Sequence, residues 1–266
     1  MRRRRRPNGA TAFPGRGRTA AALAVGVVIA AAAVSALVFW GLSWSDGPSH
    51  GPRTAVIVDQ LSLTQPNPAF AEEARSVLEQ AGYLVDDFEG DEVTVEFYSG
   101  LALRDYDLVI LRVHSGVAAV WGEVTDYVGL FTGEPYSETK YAEAEDAGLV
   151  GAATYYRGSE SVFGVSPEFI TSGMWGKFHD TTVIMMGCDG LKSETTAEAF
   201  VRKGAEVVVG WSGRVSASHT DKATEHLLQH LLIEGHTMRD AVALTMAEVG
   251  PDPDYDSTLG VYPSKG

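Results

Sequence analysis

Asp107–Gly116 reads DLVILRVHSG, and Thr181–Gly190 reads TTVIMMGCDG. Each is a short, mostly apolar run that stops at a glycine-bearing turn. Runs of this length suit strands buried on both faces of a parallel sheet, where neither face meets water. Working outward, Thr54–Asp59 (TAVIVD), Tyr83–Phe88 and Glu206–Gly210 (EVVVG) read as further strands, and Thr258–Tyr262 as a last one. Asn67–Ala81 has helical spacing, with Phe70, Ala74, Val77, Leu78 and Ala81 on one face and Gly82 as its stop. Thr195–Lys203 before Gly204, Ser218–Glu234 before Gly235, and Met238–Val249 before Gly250 read as helices. Strands alternating with helices predict an α/β domain: a mostly parallel sheet with helices on both faces, three layers in all. Residues 120–178 interrupt the pattern. Val150–Arg157 and Ser161–Val165, around Gly158-Ser159-Glu160, predict an inserted hairpin. It would either wall a substrate cleft or decorate the sheet edge.

The N-terminal end has a different character. Arg2–Arg6 is an unbroken arginine run, and Arg16 and Arg18 follow. Thr19–Leu42 carries no charge over 24 residues, enough to cross a bilayer core that needs about 20. Trp40 and Trp44 stand where interface aromatics belong. The expected organisation is a basic cytoplasmic tail (1–18), one transmembrane helix acting as a signal anchor (19–42), a linker (43–53) and an extracytoplasmic domain (54–266). The basic end stays in the cytoplasm. A cleavable signal peptide is the alternative, with Val34-Ser35-Ala36 as its cleavage site, although such apolar cores usually run about 7–15 residues.

Charge divides the same way. The chain carries −14 overall, and residues 1–45 hold seven arginines and no acid, which leaves −21 for residues 46–266. A domain that acidic excludes nucleic acid as a partner bound through its phosphates. The charge either keeps the surface soluble or attracts a cationic substrate. A single cysteine, Cys188, rules out an internal disulfide.

In a parallel sheet, ligands sit beyond the carboxyl ends of the strands. His114 and Cys188 each fall just past such an end. An imidazole can take the proton of a thiol and later supply one to a leaving amine. Gly116, Gly187 and Gly190 allow backbone N–H groups to approach a reacting carbonyl. The bland alternatives are a buried core cysteine and a strand-capping histidine.

The order of apolar strand, His-Ser-Gly, apolar strand and Gly-Cys resembles the caspase-like cysteine peptidases of clan CD. Ala197–Trp211 (AEAFVRKGAEVVVGW) is similar to the helix–strand unit after the cysteine in CHAT and gingipain-type domains, and Glu234–Ala241 to a later helix junction of that group. The likeness covers roughly residues 54–249. It implies a caspase-like three-layer fold and a membrane-anchored cysteine peptidase acting on a peptide or protein substrate. It also implies His114 and Cys188 as catalytic dyad, and Ser115, Gly116 and Gly187 as oxyanion donors. Asp59, Asp189, Trp211, Ser212 and Gly213 would form the substrate pocket. The family usually has His-Gly directly, so Ser115 is a departure that bears on the oxyanion donors. Asp189 beside the thiol would favour a basic side chain but also raise the thiol pKa. The competing function is a catalytically silent module that binds or senses a partner at the membrane surface.

No cofactor is expected, because no phosphate loop or dinucleotide fingerprint is present. His226 and His230 are spaced as zinc ligands can be, but HLLQH lacks the glutamate of HExxH; the pair reads as two surface histidines, and no metal is expected. Gly250–Asp254 (GPDPD) reads as a solvated acidic turn, with calcium as the alternative. Gly210-Trp211-Ser212-Gly213 misses the serine-hydrolase elbow.

Overall fold

The computed structural model describes residues 51–120 and 123–264. The predicted tail, the transmembrane helix at 19–42 and most of the linker lie outside the described residues. Among the described residues no helix is long and apolar enough to cross a membrane.

The strands are β1 (Arg53–Asp59), β2 (Tyr83–Glu89), β3 (Leu108–Arg112), β4 (Ser115–Val120), β5 (Glu123–Pro135), β6 (Val150–Thr154), β7 (Ser161–Val165), β8 (Thr181–Met185), β9 (Ala205–Trp211) and β10 (Leu259–Tyr262). The α-helices are α1 (Pro68–Gln80), α2 (Val95–Leu101), α3 (Ala142–Asp146), α4 (Thr195–Arg202), α5 (Ala217–Leu228) and α6 (Met238–Val249). Six strands form one sheet in the order β10-β9-β8-β3-β1-β2. All its pairings are parallel except β10 with β9.

The double burial of the central strands is visible residue by residue. Ala55 and Ile57 of β1, with Leu108 and Ile110 of β3, join one core with Phe70, Ala74, Leu78, Ala223, Leu227 and Ala241 from α1, α5 and α6. Val56 and Val58, with Val109 and Leu111, join the other with Phe97, Tyr98, Leu101, Ala197 and Phe200 from α2 and α4. Side chains alternate across a strand, so a continuous apolar run feeds both layers and the sheet lies between two sets of helices. Capping fixes the helix starts. Asn67 accepts from Phe70 N at 3.3 Å ahead of Pro68 in the first turn, and Thr94 accepts from Phe97 N at 3.0 Å. Gly82 ends α1 at φ +86°, a conformation that favours glycine.

A second, four-stranded sheet follows in the order β4-β5-β7-β6, all antiparallel. β6 and β7 form a hairpin. β4 and β5 have no counterpart in the sequence reading, and β4 begins at Ser115, directly after His114. This sheet packs inward through Leu130, Val150, Phe163 and Val165, which belong to the α2/α4 core. Thr196 of α4 anchors it, its hydroxyl donating to the Val128 carbonyl at 2.8 Å.

Two expectations need correction. α5 ends at Leu228 and continues as a π turn over Gln229–Ile233, and there His230 is buried rather than at the surface. Asp252 is 1% exposed, not solvated.

Candidate active site

The strand order reverses between β1 and β3: β1 leads outward to β2, and β3 leads the other way to β8 and β9. Loops leaving the sheet at such a switch point diverge and leave a crevice beyond the carboxyl ends. A cleft of about 670 Å³ lies there, lined by Leu61 and Gln65 after β1, His114 and Ser115 after β3, and Cys188 after β8. That volume suits a small ligand or a few residues of a chain.

β3 and β8 are hydrogen-bonded neighbours, with Leu111 opposite Met185. Met186 N donates to Leu111 O at 2.9 Å and carries the pairing onward. His114 and Cys188 each lie three residues beyond that last pair, in the turns that follow β3 and β8. Ser115 closes this junction, its hydroxyl donating to the Cys188 carbonyl at 2.7 Å. Gly187 permits the approach: a methyl group there would overlap Ser115 Oγ and the Val113 carbonyl oxygen.

His114 is half-buried. Its backbone N–H donates to Gln60 Oε1 at 2.9 Å, and its ring lies 4.9 Å from that of Tyr155, centroid to centroid. Nε2 is hydrogen-bonded to Thr64 Oγ1 at 2.7 Å; in the tautomer in which Nε2–H donates to Thr64, Nδ1 is the nitrogen that accepts a proton. Burial, reinforced by the Arg112 charge, pushes the His114 pKa down to about 4, so the ring is neutral at neutral pH. Cys188 Sγ points to the Val215 carbonyl at 3.6 Å. Burial pushes the thiol pKa up; the Asp189 and Asp252 charges add to this, while the Val215 contact and Arg214 oppose it. The resting pair is thus thiol and imidazole rather than thiolate and imidazolium.

Beneath His114 lies a buried ionic cluster. Arg112 is fully buried and donates from Nε and Nη2 to the two oxygens of Asp221 at 2.8 and 2.9 Å. Its Nη1 donates to Asp59 Oδ1 at 2.7 Å and its Nη2 to the Gln65 carbonyl at 2.8 Å. The forked geometry and the second carboxylate satisfy a charge that burial would otherwise penalise heavily. Asn67, the cap of α1, donates to the same Asp221 at 2.8 Å. Strand β3, helix α5 and the loop after β1 are therefore fastened together directly behind the cleft.

The residues expected at the pocket divide. Asp189 lines the cleft, at φ +63°, with its N–H donating to Gly213 O at 2.7 Å and Lys192 Nζ 3.5 Å from Oδ1. Asp59 faces Arg112 instead. Trp211 is fully buried, its indole N–H donating to Thr220 Oγ1 at 2.9 Å. Ser212 N donates to the Thr258 carbonyl at 2.9 Å. Trp211, Ser212 and Gly213 thus stand behind the wall, and the lining comes from the next residues, Arg214–Ser218. Asp252 holds that segment: its carboxylate accepts from Ser216 N and Oγ at 2.8 and 2.7 Å and from Asp254 N and Tyr255 N at 2.9 and 3.0 Å.

The expected oxyanion donors also differ among themselves. Phe131 N donates to His114 O at 2.9 Å, so Ser115/Leu130 is the non-bonded pair of the β4–β5 ladder and Gly116/Gly129 the bonded one. Gly116 N–H is spent on the ladder, whereas Ser115 N–H faces the free edge of β4. Thr64, Arg112 and Asp221 carried no signal in the sequence, because their partners lie far along the chain.

No family model matches the chain, and no curated protein matches it. Among solved structures, the Arg-specific cysteine proteinase gingipain R is similar with TM-score 0.44 and 12% identity, over 73% of this chain and 42% of that one. The present chain therefore spans less than half the length of that protein.

Proposed function

We propose that this chain is a cysteine hydrolase that cuts amide bonds in polypeptides, with His114 and Cys188 as its dyad. The observation that supports the reading is that His114 and Cys188, each just past the carboxyl end of one of two paired strands, both line the same open crevice. In the proposed reaction the neutral His114 ring takes the Cys188 proton as sulfur attacks the scissile carbonyl carbon. The carbonyl π pair moves onto oxygen, where the N–H groups of Ser115 and of the Gly187–Cys188 turn stabilise it. Collapse expels the amine, which leaves with the proton from His114. A water molecule, deprotonated by His114, then attacks the thioester; the acid departs and the thiol is restored.

A polypeptide suits the surroundings. A second hollow, of about 910 Å³, runs over the glycine-rich face of the small sheet and shares Gly116, Val117, Phe131 and Thr154 with the first. β4 is an edge strand that starts beside His114, and an extended chain can pair with such an edge. The N-terminal apolar segment would hold the domain outside the cytoplasmic membrane, with substrates confined to its reach.

One observation favours the competing reading of a silent binding module. Both pKa displacements oppose a preformed thiolate–imidazolium pair. A thiol-directed acyl probe on the purified chain separates the two. The hydrolase reading expects Cys188 to label faster than free cysteine, and His114→Ala to remove that advantage. If the wild type labels no faster than free cysteine and His114→Ala changes nothing, the hydrolase reading is wrong.

A further inference from the structure

At the far end of α5, five side chains that the proposed chemistry does not use converge. His226 lies on α5, His230 in its π turn, Glu234 and His236 in the following loop, and Glu248 on α6. His230 is 6% exposed and is engaged at both ring nitrogens, Nδ1 with Glu234 Oε2 at 2.9 Å and Nε2 with Glu248 Oε2 at 3.2 Å. The same Glu248 oxygen lies 2.8 Å from His226 Nδ1. On the other side, Glu234 Oε2 lies 3.2 Å from His236 Nε2.

We propose that His226, His230 and Glu248 bind a divalent transition-metal ion, zinc by the chemistry of the donors, which clamps the end of α5 to α6. A tetrahedral zinc ion with bonds of about 2.0–2.1 Å needs ligand atoms about 3.3 Å apart. The two nitrogen–oxygen edges here, 2.8 and 3.2 Å, are within about half an ångström of that. All three ligand atoms lie within 4.8 Å of one another. Two imidazoles and a carboxylate select zinc or its transition-metal neighbours over magnesium and calcium, which take oxygen.

The surroundings complete the case. A zinc-bound histidine usually gives its second ring N–H to a carboxylate, which fixes its tautomer and orientation. Glu234 is placed to do this for His230, and His236 in turn holds Glu234. The ligands come from two helices, whereas Glu234 and His236 are near neighbours in one loop, so the ion belongs on the His226/Glu248 side. His226 and Glu248 are partly exposed, which gives the ion a path from solvent and leaves a fourth position for water. The π turn that carries His230 is a device often found inside helices at functional positions. From Thr220, which lines the cleft, to His230 is about 15 Å along the helix. The ion is therefore structural and separate from the dyad.

The test uses the full chain carrying Cys188→Ala, so that the thiol cannot bind zinc. It is stripped with a chelator and titrated with Zn²⁺ against a chromogenic competitor, and with Co²⁺ to read coordination by absorption. The expected result is one ion per chain, tetrahedral cobalt bands, and a melting temperature that rises with zinc. His226→Ala and Glu248→Gln each weaken binding by about 100-fold or more, and Glu234→Gln by about 10–100-fold. His236→Ala has a smaller effect than His226→Ala. The proposal is overturned if no ion binds, if His226→Ala and Glu248→Gln leave the affinity unchanged, or if His236→Ala is as damaging as His226→Ala.

Discussion

Gly187→Ala tests the junction between the turns that carry His114 and Cys188. The added Cβ would overlap Ser115 Oγ and the Val113 carbonyl oxygen, and even Ser115 Cβ would be only 3.1 Å away. Carbon–carbon contact is comfortable at about 3.5–4.0 Å, so the turns after β3 and β8 must separate by roughly 1 Å. Forcing a methyl group into packed surroundings costs about 1–3 kcal/mol. The Ser115–Cys188 hydrogen bond would be stretched as well, adding about 0.5–1.5 kcal/mol. A loss of about 2–4 kcal/mol corresponds to a fall in melting temperature of about 4–15 °C for a domain of this size. Ser115→Ala alone loses only the hydrogen bond, about 1 kcal/mol. Placed under Gly187→Ala it relieves the hydroxyl overlap but not that with the backbone of Val113. The double variant is therefore less destabilised than the two single effects added together, yet less stable than Ser115→Ala. Thermal and urea unfolding of the four proteins measure this cycle. A Gly187→Ala protein that melts within about 1 °C of wild type would refute the close approach of the two strand ends.

Three other perturbations reach separate parts of the site. Arg112→Met leaves Asp59 and Asp221 buried without their cation and costs about 3–5 kcal/mol at neutral pH, read as a lower midpoint in urea unfolding. His114 is depressed in the folded chain from the ordinary 6.5 to about 4, so the unfolded chain binds its proton first as pH falls. The folded state then loses up to about 3 kcal/mol between pH 6.5 and 4, and His114→Ala should remove that part of the wild-type pH dependence. Asp252→Ala frees Ser216, Asp254 and Tyr255 together; the expected signature is faster amide exchange confined to 214–218 and 253–257, with β3 and β8 still protected, and protection unchanged in the wall would refute its anchoring role.

The two core faces were legible because burial on both sides of a strand leaves a continuous apolar run, and β1, β3, β8 and β9 all carry one. The small sheet was not. β4 reads SGVAAV and β5 EVTDYVGLFTGEP, where glycines and a register shift between Val117 and Ala119 erase the alternation that marks a half-buried strand. Helix α2, at seven residues, is too short to establish a period, although Thr94 supplies its cap. At the site, the sequence offered the place of His114 and Cys188 after their strands. The residues around them were hidden for another reason: Arg112 meets Asp221 across 109 residues and His114 meets Thr64 across 50, distances over which no local pattern operates. The shift of the cleft wall from Trp211–Gly213 to Arg214–Ser218 has a local cause. Trp211 is still a β9 residue whose side chain enters the core, and the chain turns toward the cleft only after Gly213.

Ser115 ties these points together. In the resemblance drawn from sequence it was a departure, an extra residue between histidine and glycine. In the fold that residue starts β4. A glycine there would keep the N–H on the free edge but remove the hydroxyl that holds the Cys188 carbonyl. The departure also moves the glycine one position along the ladder, where Gly116 N–H is consumed by Gly129. In the proposed reaction the donor role therefore passes to Ser115 itself, and the need for a residue without a side chain passes to Gly187, against which the Ser115 hydroxyl packs. Ser115 and Gly187 act as one lock across two strand ends, so their substitutions must be non-additive, whereas a change at Asp252, which acts on the opposite wall, must add independently to either.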